Sequence, residues 1–127
     1  MSRDFTKMSV LLEAFFTEHL LQQRRLSAHT IGSYRDTFRL LLGYAEKRLH
    51  KAPSLLNIDD LDASFLRRFL ADLEEKRGVS ARSRNQRLAA IRSCFRFASL
   101  CLPERSHLIQ QVLAIPSKRC ERKLIRN

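Results

Sequence analysis

From Gly78 to Phe97 the chain reads GVSARSRNQRLAAIRSCFRF, with arginines at 82, 84, 87, 92 and 96 and no acidic residue among them. A guanidinium is a permanent cation whose planar fork of donors matches phosphate and the guanine edge, while the amides of Asn85 and Gln86 match the adenine edge. Ser80 and Ser83 add hydroxyls where a helix start would also bring free backbone N–H groups and the positive end of the helix dipole. Ser80, Arg82, Ser83, Arg84, Asn85, Gln86 and Arg87 therefore form a candidate contact with a polyanion. A second stretch, LSAHTIGSYRD, repeats the design from Ser27, with His29, Ser33 and Asp36 on its outward face and Arg35 and Arg39 to one side.

Catalytic chemistry finds less support. The three cysteines (Cys94, Cys101, Cys120) form no C-x-x-C pair and the four histidines have no ligand spacing, so neither a disulfide framework nor a metal site is expected. Cys94 and Cys101, seven apart, read as reduced, packed thiols. The only tyrosines, Tyr34 and Tyr44, read as core or rim aromatics, and no positioned partner would activate them as nucleophiles. No catalytic residue, cofactor or small-molecule substrate is expected.

The charge is unevenly distributed. Residues 1–76 hold 12 Lys/Arg and 11 Asp/Glu, a net of +1, whereas residues 77–127 hold 12 Lys/Arg and only Glu104 and Glu121, a net of +10. Repulsion on that scale calls for a polyanion, nucleic acid first and an anionic membrane surface second. No apolar run approaches a membrane span, and MSRDFTKMSV lacks a signal-peptide core, so the expectation is a cytoplasmic, nucleoid-associated protein.

With three glycines, three prolines and no long β-branched alternation, the elements that position these residues should all be helices, four or five in a compact bundle. The first is predicted from about Phe5 to Gln23, with Met8, Leu11, Leu12, Phe15, Phe16, His19 and Leu20 as its stripe. Ser27 caps a second running to about Arg48 over Ile31, Tyr34, Phe38, Leu41, Leu42, Ala45 and Leu49. After the loop HKAPSLLNIDD, Asp62 caps a third to about Lys76 that buries Phe65, Leu66, Phe69, Leu70 and Leu73. Gly78 ends it left-handed, and Ser80 caps a fourth that runs to about Leu102. A short fifth, about Arg105–Leu113, completes a domain spanning residues 1–115, with 116–127 a basic linker.

On the fourth helix a wheel of about 100° per residue places Leu88, Ile91, Phe95, Ala98 and Leu102 on the core side. Arg82, Gln86, Ala89 and Ser93 lie opposite, flanked by Asn85, Arg92 and Arg96. The end from Ala98 is apolar nearly all round and should be buried. Ser80–Arg87 should project, which puts Arg82, Asn85 and Gln86 ahead of Arg96 as DNA contacts.

Both helix starts resemble tyrosine recombinases, the phage integrases and Xer type. LSAHTIGSYRDTFRLLLGYAE is similar to their S-x-x-T-x-x-x-Y-x-x-D/R-L-x-x-F segment through Ser27, Thr30 and Tyr34. GVSARSRNQRLAAIRSCFRFA is similar to G-x-S-x-x-S-x-N-R-x-L-S-A-L-R-S-F-F-x-F through Gly78, Ser80, Ser83, Asn85, Leu88, Ala90, Ile91, Arg92, Ser93, Phe95 and Phe97. Arg84 and Gln86-Arg87 spread the N-R pair, Cys94 replaces an aromatic, and Phe38 stands where Leu is usual. The resemblance covers about residues 8–120. It implies an N-terminal core-binding domain, a small SAM-like bundle that clamps one face of a double-stranded recombination site beside neighbouring protomers. It adds Thr30 to the candidate DNA contacts. PSKRCERKLIRN resembles the linker to a catalytic domain, with Lys118 and Arg119 reaching DNA as the protein closes into a C-shaped clamp. The tyrosine, arginines, lysine and histidines of strand cleavage would lie in that following domain.

Two other classes fit the residues less fully. A protein-interaction or assembly module would use the same helices with the arginines as rim charges, and would show a contiguous apolar patch. A free-standing helix-turn-helix repressor conflicts with the long fourth helix.

Overall fold

The computed structural model describes residues 3–23 and 25–120. Its helices are α1 (Met8–Ala14), α2 (Ala28–Leu49), α3 (Ala63–Arg77), α4 (Ala81–Cys101) and α5 (Ser106–Leu113). Among the described residues the only extended pairing is one antiparallel bridge, Lys7 with Asn57. The bundle is all-α, as the periodicity predicts.

The three expected caps form. The N–H groups of Thr30, Phe65 and Ser83 donate to Ser27 Oγ (3.1 Å), Asp62 Oδ1 (2.9 Å) and Ser80 Oγ (3.1 Å), each satisfying an amide that a helix start leaves orphaned. Gly78 ends α3 at φ 63°, a left-handed position that suits a residue without Cβ. His50 ends α2 in the same region at φ 54°, with its N–H bonded to Glu46 O.

The first helix departs from a single regular rod. After Ala14 it passes into a π turn (Phe15–His19) and a 3-10 turn (Leu20–Gln22). The loop after α2 also does more than connect: it contains two 3-10 turns, and Leu56, Ile58 and Leu61 are buried. It is tied to the start of the chain by Met8 N–H to Leu56 O (3.0 Å) and Ile58 N–H to Thr6 O (2.7 Å). Those side chains are non-periodic, so a helical template does not register them.

α4 is the central element, packing on α2, α3 and α5. Leu88, Ile91, Phe95, Ala98 and Leu102 are buried as the wheel predicts, but so are Ala90, Cys94 and Arg84. The expectation of burial all round beyond Ala98 fails at Leu100, which is 76% exposed. Residues 82, 86, 89, 93, 96 and 100 follow one another at spacings of four and three, so the periodicity that keeps Arg82 and Arg96 outside keeps Leu100 outside too.

Candidate nucleic-acid interface

The hydroxyls at the two helix starts are paired. Ser27 Oγ lies 3.0 Å from Thr30 Oγ1, and Ser80 Oγ donates to Ser83 Oγ at 3.2 Å. Both caps remain at the surface, with Ser27 and Ser80 exposed and Thr30 and Ser83 half-buried. His29 and Arg35 are exposed near the start of α2.

Arg87 sets α2 against α4. Its guanidinium donates to Thr37 Oγ1 (3.1 Å) and to Ser33 O (3.3 Å), and the Thr37 hydroxyl itself donates to Ser33 O (3.0 Å). Thr37 is fully buried, and Arg87 gives its hydroxyl oxygen a donor in addition to the bond that the hydroxyl makes to Ser33 O. Arg87 thus holds two helices together, and Ser33 contributes its carbonyl to the joint.

Arg84 also turns inward. Only 8% of the residue is exposed; Nε lies 3.4 Å from Glu74 Oε1 and a terminal nitrogen donates to Pro116 O at 3.1 Å. Asn85 pairs with Lys118: Nδ2 donates to Lys118 O (2.7 Å), and Lys118 N–H donates to Oδ1 (2.8 Å). Lys118 Nζ bonds Glu74 at 2.8 Å. Arg92 donates to Ser117 Oγ (3.1 Å) and to Ile115 O. Burial, then the charges of Arg96 and Arg84, lower the pKa of the Arg92 guanidinium.

The projecting half-helix is therefore corrected. Arg84, Asn85 and Arg87 of that half-helix, and Lys118 beyond it, make hydrogen bonds within the domain, the guanidinium heads reaching carbonyls on long stems from positions that charge alone assigns to solvent. Lys118 and its neighbours lie against α4 rather than leaving it at Pro116.

What stays open is a stripe along α4: Arg82, Gln86 and Ala89, then half-buried Ser93 and exposed Arg96. At its far end His19, Gln23 and Tyr34 face Ala89, Arg92, Ser93 and Arg96 across a cleft that no carboxylate of the described residues lines. His19 is fixed there by rings, 4.8 Å from Phe97 and 5.8 Å from Phe15 between centroids, and its Nε2 lies 3.2 Å from Gln23 Nε2. Tyr34 stacks on Phe15 at 6.4 Å, and Tyr44 packs on Phe65 and Phe69. Arg119 is exposed.

Sequence reasoning missed the cleft wall. His19 and Tyr34 read as stripe residues of their own helices, and Gln23 is brought in by the π and 3-10 turns, which break the 3.6-residue register. The spacing of 82, 86, 89, 93 and 96 was the available signal that Arg96 belongs with Arg82. Among the described residues no group of three His, Cys, Asp or Glu gathers as a metal site, and no helix is long and apolar enough to cross a membrane.

Comparison with known proteins supplies the lineage. The family described as "Phage integrase, N-terminal SAM-like domain" matches residues 14–100, more than half of the chain. Protein y4rC of Sinorhizobium fredii (strain NBRC 101917 / NGR234), assigned as an integrase/recombinase, is 57% identical over 118 residues, which is 93% of this chain and 36% of the relative. Protein y4rD of the same strain, similarly assigned, is 42% identical over 112 residues, 88% of this chain and 40% of the relative. Tyrosine recombinase XerC of Xanthomonas campestris pv. campestris (strain B100) is 36% identical over 80 residues, 63% of this chain and 23% of the relative. The chain thus spans well under half the length of these curated relatives, and no solved structure matches it. The capped helix starts, the helical bundle and the family match agree: the chain belongs to the phage integrase family and corresponds to the N-terminal SAM-like domain of the tyrosine recombinases.

Proposed function

We propose that this domain binds double-stranded DNA as the non-catalytic clamp of a site-specific recombinase, acting on nucleoid DNA during integration or recombination. The observation that carries the reading is the open stripe of α4, with Arg82, Gln86, Ala89, Ser93 and Arg96 on one line and no acidic residue on it. From 82 to 96 that line extends about 21 Å at 1.5 Å per residue, a length that suits a helix lying in or along a groove. Arg82 and Arg96 would contact phosphates, Gln86 is the stripe's remaining amide for a base edge, and the start of α2, with Ser27, His29, Thr30 and Arg35, would flank the same duplex. Strand cleavage would belong to a separate catalytic domain.

Fluorescence anisotropy on a labelled duplex tests this. The double variant Arg82→Glu, Arg96→Glu should keep wild-type helicity and lose at least about tenfold in affinity at low salt, since each substitution replaces a phosphate partner with a repelling charge. Undiminished binding by that variant would contradict the assignment of the stripe.

One observation favours an added role in assembly. Leu100 continues the stripe beyond Arg96, and Leu21 is also exposed, at 71%. Exposed apolar side chains of this size suit contact with a neighbouring protomer on DNA. Leu100→Ser should weaken cooperative occupancy of adjacent sites without changing affinity for a single site; unchanged cooperativity would remove this role.

A further inference from the structure

We infer that Asn85 is a positioning residue: it clips the segment Ile115–Arg119 along α4 and thereby sets Arg119 beside the DNA-facing stripe. The functional half of this inference rests on the DNA-binding reading; the structural half rests on hydrogen bonds alone.

An asparagine amide presents a carbonyl acceptor and N–H donors in one plane, the same arrangement as a peptide group. Asn85 and the Lys118 peptide groups exchange both bonds, at 2.7 and 2.8 Å, as two residues do across an antiparallel ladder. The rest of the segment is held in series from the same helix. Ile115 is fully buried and its carbonyl accepts from Arg92; Pro116 O accepts from Arg84 at 3.1 Å; Ser117 Oγ accepts from Arg92 at 3.1 Å. Pro116 also fixes its own φ, which lowers the entropy lost on docking.

Asn85 and Arg92 lie together on one flank of the stripe, and Arg87 with α2 lies on the other. The strap is thus a second wall. The two cations it carries differ: Lys118 is paired with Glu74, whereas none of the described carboxylates pairs with Arg119. Arg119 follows directly on the clipped residue, its Cα about 3.8 Å from that of Lys118, so fixing Lys118 confines Arg119 to the flank of the stripe near Asn85. By its chemistry Asn85 suits adenine, yet both its polar atoms are already spent on the strap.

Amide hydrogen exchange and duplex binding on the full chain test the two halves separately. In the wild type the Lys118 amide should exchange at least about tenfold more slowly than an unprotected amide, and Asn85→Ala should bring it to the unprotected rate with core amides unchanged. A Lys118 amide already unprotected in the wild type, or still protected in Asn85→Ala, overturns the clip. For binding, Asn85→Ala and Arg119→Ala should each weaken the duplex complex by a similar factor, and the double variant should be no weaker than either. Losses that multiply would mean that Asn85 acts on DNA independently; wild-type affinity in Asn85→Ala would mean that the strap does not serve binding. Failure of the wild type to bind any duplex would sink the DNA reading while leaving the exchange result standing.

Discussion

Arg84 Nε lies 3.4 Å from Glu74 Oε1, with 9% of the arginine side chain and 23% of the glutamate side chain exposed, and Lys118 Nζ reaches the other carboxylate oxygen at 2.8 Å. One carboxylate of α3 thus joins α4 to the segment after α5. Removing a buried charge partner costs more than the pair itself contributes, because the remaining group stays desolvated. Arg84→Ala should therefore lower stability by roughly 2 kcal/mol, moderated by the lysine that Glu74 keeps. Chemical denaturation checks this; a change within experimental scatter would mean that the pair is structurally idle.

Arg87 should behave in the same class. Arg87→Ala leaves the buried Thr37 hydroxyl with Ser33 O as its remaining partner and removes two bonds between α2 and α4. A loss of about 1 kcal/mol is expected. Thr37→Val should give a loss of similar direction, and the double variant should lose less than the two singles added together, because they share one contact.

Gln86 separates base readout from backbone contact. Gln86→Ala should narrow the difference in affinity between preferred and unrelated duplexes by about 1–3 kcal/mol, the range of a good bidentate amide–adenine pair. Its salt slope should match the wild type. Uniform weakening across all sequences would instead assign Gln86 to the backbone.

The caps have their own signature. Ser27→Ala and Ser80→Ala should each cost about 1 kcal/mol, because each leaves a helix-start amide without its acceptor. Serine to glycine at either position should cost less. Thermal unfolding of the three forms decides this.

The thiols should sort by burial. Cys94 is fully buried, and desolvation, with the neighbouring Cys101, pushes its pKa well above the ordinary thiol range; burial raises Cys101 as well, while Cys120 is exposed. Since the thiolate is the nucleophile, a brief iodoacetamide pulse at pH 8 should label Cys120 first, Cys101 more slowly and Cys94 only on unfolding. Peptide masses report the order, and early labelling of Cys94 would contradict its packing.

Much of this architecture is legible in the chain because helices announce themselves twice, by periodicity and by caps. Phe65, Leu66, Phe69, Leu70 and Leu73 are all buried as their spacing predicts, and Ser27, Asp62, Gly78 and Ser80 each stand at the predicted boundary. The interface is less legible because an arginine's charge says nothing of its tertiary partner. Arg84 and Arg82 are two residues apart, yet one faces Glu74 and the other solvent. The docking of Ile115–Lys118 on α4 depends on side chains 23 to 33 residues distant, and no local pattern encodes it.

The central claim, that the open face of α4 meets DNA phosphates, is tested most directly by the dependence of duplex affinity on salt. With Arg82, Arg96, Arg119 and the start of α2 as about four phosphate contacts, log affinity should fall with log salt at a slope of about −3 to −4, and Arg82→Ala or Arg96→Ala should each flatten it by about 1. An affinity unchanged between low and moderate salt, or a slope identical in all three proteins, would contradict it.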